Sequence, residues 1–319
     1  MRRNPYMRRE LLALVIFTCA RLTMADSAPN NFRECMNTDG PRYLQAVSNL
    51  FQQTDAKTFL ESVASSRTAP QAERRLADIL LARMERPSLF DEFSKRVVDA
   101  RRGPDYGRGS YFEGCLLQFT STGPESKFVW EIDEGGEKKV EKYTDADVRT
   151  GKARNAAARL ALVEYFLKFS QDFNDYYEMP EMLSALKVLE DGRGWLGRTK
   201  RPEFGIPTQD LIEAVCKEEK RPLPVRVAAV SLLPEDKFDK TAVAGLMVKA
   251  LQDEELQDDR KYRRTAETAA EFLRLYGDRQ SLSALKANAP KTQWKRELVE
   301  KTLKEITART GQDPQNTLP

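Results

Sequence analysis

Carboxylates, lysines, tyrosines and four cysteines are the groups with which this chain would have to do chemistry, because its 319 residues include no histidine. That absence removes Ser-His-Asp and Cys-His nucleophilic mechanisms, His-ligated metals and imidazole acid–base catalysis. The acidic runs Glu218-Glu219, Asp253-Glu254-Glu255 and Asp258-Asp259 fall at helix ends or in loops and read as solvated surface. They lack the alternating spacing of a calcium loop. Gly192-Arg-Gly194-Trp-Leu-Gly197 matches GxGxxG in form only. A dinucleotide site needs a strand before it and a helix opening on its last glycine. Here a helical pattern precedes it and Arg198-Thr-Lys-Arg-Pro follows. The same loop interleaves Arg193, Trp195, Arg198, Lys200, Arg201 and Phe204. Three uses fit that pattern: a bridge with its aromatics tucked into a core, contact with an acidic protein surface or anion, and phosphate binding with base stacking. Trp195, Arg198, Lys200, Arg201 and Phe204 are therefore candidate partner-binding residues. No catalytic, cofactor or metal constellation is expected.

Cys35, Cys115 and Cys216 stand far apart with no CxxC, so neither a zinc ribbon nor a redox dithiol is suggested. One disulfide is open to them outside the cytosol, and small buried hydrophobes are the simpler role.

Charge bears on partners through its location. Residues 1–25 carry five arginines against Glu10, a local +4, so the total of +3 less this +4 leaves −1 for the remainder. No global field draws that remainder to nucleic acid. The arginines precede the run Leu11–Ala20 and a small-residue stretch ending at Ala25, the order of a secretory signal peptide. The apolar run is too short for a membrane span, which needs about 20 residues. Export, to the periplasm or a membrane surface through this leader, is the expected location; a buried helix of a cytoplasmic protein is the alternative.

The elements that would position any site are helical. After a polar segment over 26–40, periodicity predicts helices at 41–53, with Leu44, Val47, Leu50 and Phe51 on one face, and after Asp55. A third spans 70–86, and a fourth opens at a capping box, Ser88–Asp91. The pattern breaks over 101–150. There Phe128–Ile132 and Lys138–Tyr143 flank Gly135-Gly136 as a β-hairpin, which adds Trp130 and Tyr143 to the candidate partner-binding residues. Helix resumes at 152–165, 180–190, 208–220, 224–233, 240–251, 263–276, 279–289 and 293–309. In Arg263–Lys286, Ala266, Ala269, Ala270 and Leu273 form one apolar stripe. Gly277 ends that helix as a left-handed residue, and Asp278 or Ser281 caps the next.

Two echoes suggest a repeat. Ala228-Ala229 with Leu232 aligns with Ala269-Ala270 and Leu273, and Leu183–Lys187 is identical to Leu282–Lys286. Pro224-Val-Arg-Val-Ala-Ala and Arg263-Arg-Thr-Ala with its Gly-Asp turn resemble bacterial HEAT-like repeats, best over 208–309. That resemblance implies an all-α α-solenoid carrying a small β-hairpin insertion, in a family whose members mostly bind proteins. The expected organisation is a leader (1–25), an N-terminal helical segment (26–100), the loop and hairpin insertion (101–150), HEAT-like repeats (151–309) and a disordered tail (310–319). The expected function is a non-catalytic protein–protein interaction scaffold with an unknown protein partner and no nucleic acid. The alternative is a helical-repeat enzyme of the DNA glycosylase or bilin lyase type.

Overall fold

The computed structural model describes residues 27–102, 111–121, 145–173, 177–193, 204–288 and 290–311. Among them the regular structure is fourteen α-helices with short 3₁₀ turns and no strand, an all-α protein. The hairpin runs at 128–132 and 138–143 lie outside the described residues. The expected insertion is corrected at both ends, because Tyr111–Ser121 is a helix and another begins at Asp145. Cys115–Phe119, four apolar residues with Gln118 among them, is too short for periodicity to separate strand from helix. In the helix, Phe112, Leu116 and Phe119 fall at i, i+4 and i+7, all buried.

The chain divides into two compact units, Met1–Val98 with Phe119–Asp172, and Asp99–Gln118 with Phe173–Pro319. In the first, α1 (Ala28–Asn37) pairs with α2 (Gly40–Phe51), and α3 (Ala56–Ser65) with α4 (Gln71–Glu85). Helix α1 replaces the expected polar segment. Its Ala28, Asn31, Phe32 and Cys35 recur at helical spacing and are buried, but one of the four is polar. On α2 the buried face is Tyr43, Ala46, Val47 and Leu50, while Leu44 is exposed. Helix α5 (Pro87–Arg102) begins at Pro87, one residue before the expected cap, where a missing N–H costs no hydrogen bond. After α6 (Tyr111–Ser121), the long α7 (Asp145–Phe169) packs on α2 and α4. Its buried residues, Ala157, Ala158, Ala161, Leu162 and Val163 among them, surround the axis, as befits a helix covered on several sides.

The second unit contains α8 (Glu178–Glu190), α9 (Gln209–Lys217), α10 (Leu223–Leu232), α11 (Lys240–Gln252), α12 (Asp259–Tyr276), α13 (Arg279–Ala287) and α14 (Gln293–Thr310). Alternate helices pack side by side, α8 on α10, α10 on α12 and α12 on α14, while α11 packs on α13. The Ala266, Ala269, Ala270, Leu273 stripe is buried as expected. The two identical pentapeptides part company here. The first lies on α8, which packs on α9 and α10; the second lies on α13, which packs on α11 and α14. Its Leu-Ser-Ala-Leu pattern suits any short helix with one apolar face.

Gly277 does not take a left-handed backbone; the positive-φ glycines among the described residues are Gly40, Gly192 and Gly311. Glycine is required at 277 by close approach. A Cβ there would lie 2.5 Å from the Leu273 carbonyl oxygen and 3.0 Å from Cδ1 of Ile306. Asp278 caps α13 as expected, accepting from the Ser281 N–H at 2.9 Å.

Candidate functional site

A cavity of about 320 Å³ opens on the second unit, with α10 as its floor and α8 and α12 as its walls. Each wall and the floor contribute one stripe with the same spacing. From α8 and the residue before it come Tyr177, Pro180, Glu181 and Ser184. From α10 come Pro224, Val227, Ala228 and Ser231, with Leu232 beside them. From α12 come Lys261, Arg264, Thr265 and Thr268. All three stripes run i, i+3, i+4, i+7, one helical face over two turns, and each ends on a hydroxyl, Ser184, Ser231 or Thr268. Three alternate helices thus turn equivalent faces to one groove. Ala228 and Leu232, expected among the buried stripe of α10, line it instead and are half-buried.

Helix α8 is fixed by its own carboxylates. Glu178 receives Nε and Nη2 of Arg101 at 2.6 and 3.2 Å, and the Arg101 guanidinium also lies over the Phe173 ring. Glu190 accepts from the N–H groups of Thr208 and Gln209 and so caps α9 from a distance, while the Thr208 hydroxyl donates to the Leu186 carbonyl at 2.8 Å. Glu181 accepts the Glu113 N–H at 2.9 Å, and the Phe112 N–H also holds its charge, so it caps the first turn of α6.

Among these carboxylates Glu181 alone lines the groove. Burial pushes its carboxyl up to about 7, with the neighbouring Glu113 carboxylate adding to the rise; the two amide donors and Arg264 oppose it. Glu113 is itself raised by burial and eased by Arg264. The guanidinium of Arg264 stands within electrostatic reach of both acids. Chemically the groove offers hydroxyls that donate and accept, an apolar floor of Pro224, Val227 and Ala228, basic side chains on one wall and a carboxyl raised by burial on the other.

Of the residues singled out in the sequence, Trp195, Arg198, Lys200 and Arg201 lie outside the described residues, as do Trp130 and Tyr143. Phe204 is half-buried where the chain approaches α9. The described residues on either side of this cluster both bond to α8. Gly192, at φ 63°, closes α8 in a Schellman turn, its N–H reaching Leu189 and that of Arg193 reaching Val188. On the far side the Ile206 N–H returns to the Leu189 carbonyl at 3.0 Å. Gly192 is therefore a helix terminator, in keeping with the rejection of a nucleotide fingerprint. The groove residues were missed because apolar periodicity reads only the buried face of a helix. A polar stripe recurring at the same spacing on 177–184 and 261–268 was the signal available.

Cys35, Cys115 and Cys216 are free thiols, and burial pushes Cys35 up to about 12. Among the described residues no helix is long and apolar enough to cross a membrane, and no three His, Cys, Asp or Glu side chains gather as a metal site requires. Comparisons of the chain with protein-family models, with curated proteins and with solved structures return no match.

Proposed function

We propose that this protein is a non-catalytic interaction scaffold of HEAT-like helical repeats and that the groove over α10 is where it receives a protein partner. The observation that carries the reading is the recurrence of one lining pattern on α8, α10 and α12. Stacked repeats present equivalent faces side by side and so generate an extended recognition surface without a dedicated catalytic pocket. Hydroxyls at the end of each stripe suit the N–H and C=O groups of a polypeptide main chain, and the apolar floor suits its side chains. A photo-crosslinking amino acid at the exposed Ser231 tests this in the producing cells, with the same group at the exposed Lys301 of α14 as control. A discrete protein adduct formed from position 231 and missing from 301 supports the scaffold reading. Identical adducts from both positions, or none from 231, sink it.

Glu181 favours one other reading, the helical-repeat enzyme, since a carboxyl near neutrality in a cleft suits general acid–base work. Against it, the carboxylate is occupied by main-chain donors of α6. A Glu181→Gln protein that retains every partner adduct of the wild type leaves the scaffold reading in place.

Export is part of the proposal and rests on the arginine-first, apolar-second order of residues 1–25. N-terminal sequencing of the protein from its host checks it: a mature chain starting near Asp26 supports export, and an intact Met1 in the cytoplasmic fraction removes it.

A further inference from the structure

The groove has a charge sign as well as a shape. Its α12 wall carries Lys261 and Arg264. Its α10 floor contributes no titratable group, only Pro224, Val227, Ala228, Ser231 and Leu232. The α8 wall contributes Tyr177 and one carboxyl, Glu181, whose oxygen is already bonded to the Glu113 N–H of α6. Glu113 stands close to Glu181 and within reach of Arg264, and it is not among the described lining residues. Among the described lining residues two basic side chains thus accompany one carboxyl, which is already hydrogen-bonded and is raised by burial. The described lining is richer in basic than in acidic side chains, although the chain beyond residue 25 is close to neutral.

Its dimensions are those of a short extended segment. Seven residues of helix from the first to the last position of a stripe rise about 10 Å, a distance covered by about three residues of extended chain. We infer that the groove binds an extended acidic polypeptide segment, with Arg264 receiving a carboxylate side chain and the Ser184, Ser231 and Thr268 hydroxyls serving its main chain. This rests on the reading of the groove as the recognition site. Arg264 presents a planar fork matched to a carboxylate. A nucleic-acid strand fits less well, because it needs a continuous basic track and a series of stacking rings. Tyr177 is the one aromatic residue among the described lining residues.

The test is fluorescence anisotropy on the full chain. The probes are a fluorescein-labelled peptide of alternating alanine and glutamate, the same peptide with glutamine for glutamate, and a labelled oligothymidylate. The expected result is saturable binding of the glutamate peptide that weakens with salt. Affinity falls by about tenfold for the glutamine peptide, as loss of a charge-assisted hydrogen bond requires, and by a similar factor in Arg264→Gln. Arg263→Gln is the control, since that guanidinium lies over the Trp294 ring on another face of α12; it leaves the affinity unchanged. Ala228→Trp, which fills the floor, abolishes binding, and circular dichroism of each variant establishes that it is folded.

Equal affinity for the glutamate and glutamine peptides, with both lost in Ala228→Trp, overturns the acidic inference and leaves the groove as a recognition site. Glutamate-peptide binding that survives Ala228→Trp removes the groove reading itself. Binding of the oligothymidylate alone, or of no probe, overturns the inferred ligand class.

Discussion

Tyr43 donates its hydroxyl to Oε1 of Glu164 at 2.6 Å, across 121 residues of sequence and in the interior of the first unit. Tyr43 is fully buried and Glu164 nearly so. Nε of Arg83 stands 3.5 Å from the same oxygen, and Nζ of Lys168 lies over the Tyr43 ring. Burial raises the Glu164 carboxyl; Arg83 and the Tyr43 hydroxyl oppose that rise. The pair joins α2 to α7, so a short N-terminal helix and a long one distant in sequence are held in one register by a polar contact.

Tyr43→Phe keeps the ring and removes the donor. A buried carboxyl left short of a hydrogen bond costs about 1–3 kcal/mol. We expect the urea unfolding midpoint of the variant to fall accordingly, with an unchanged slope. A midpoint equal to that of the wild type would mean that Arg83 alone satisfies Glu164.

Helices with one apolar stripe were legible from their spacing, as Ala266, Ala269, Ala270 and Leu273 illustrate. Where burial includes polar side chains the periodic signal weakens, and α1 disappeared into a polar segment because Asn31 shares its buried face. On α2 two apolar faces competed, and the tertiary partner Glu164 decided for Tyr43 over Leu44. The groove was illegible for a related reason. Its serines, threonines and arginine look like solvated surface until three helices stand side by side, and the Glu181 carboxyl meets an amide 68 residues away. The hairpin and the Trp195–Arg201 cluster remain sequence readings, since they lie outside the described residues.

Each unit uses a buried lysine to close the C-terminal end of a helix. In the first, Nζ of Lys168 donates to the carbonyls of Met36 and Thr38 at 3.1 and 3.0 Å. In the second, Nζ of the fully buried Lys295 donates to those of Ala250 and Asp253, each at 3.2 Å. These carbonyls have no partner within their own helix, and a cation suits that end of the helix dipole. Burial lowers the Lys295 amine to about 8 from 10.5, with Asp253 opposing the shift. The unfolded chain therefore binds more protons than the folded one between these values, so this group makes stability rise with pH from about 8 to 10.5. Lys295→Ala takes the side-chain donor from the Ala250 carbonyl, leaves the Asp253 carbonyl to the Gln257 amide at 2.7 Å, and opens a cavity, and we expect a loss of about 2–4 kcal/mol. The alkaline rise in unfolding midpoint should be reduced in the variant. An equal rise in both proteins would assign it to other groups.

Two glycines predict opposite outcomes for the same substitution. Gly277→Ala places a Cβ 2.5 Å from a main-chain oxygen, which cannot swing aside as a side chain would. Relief requires the end of α12 to shift against Ile306, and overpacking of this kind costs about 1–3 kcal/mol. Gly245 sits within α11 with nothing within 4 Å of an added Cβ. Gly245→Ala is expected to stabilise by about 0.4–1 kcal/mol through reduced freedom of the unfolded chain. Thermal unfolding of the two variants side by side checks both signs, and a destabilised Gly245→Ala would mean that close packing on α11 exists where none is found.

Glu181 ties the groove to pH. Its carboxyl is raised from 4.5 to about 7, so between those values the folded protein holds a proton that the unfolded chain has released. A raised carboxyl contributes stability that is complete below 4.5 and lost as pH climbs through about 7. Glu181→Gln cannot titrate, and its carbonyl can still accept the Glu113 N–H. The difference in unfolding midpoint between variant and wild type should therefore be small below 4.5, grow in the variant's favour as pH rises from 4.5 to about 7, and level off above that. Glu113, also raised by burial, titrates in both proteins, and because its charge acts on Glu181 the comparison is repeated in a Glu113→Gln background. A difference that stays constant across the range would mean that Glu181 keeps an ordinary carboxyl in the folded protein, with its charge fully met by the amides of α6 and by Arg264.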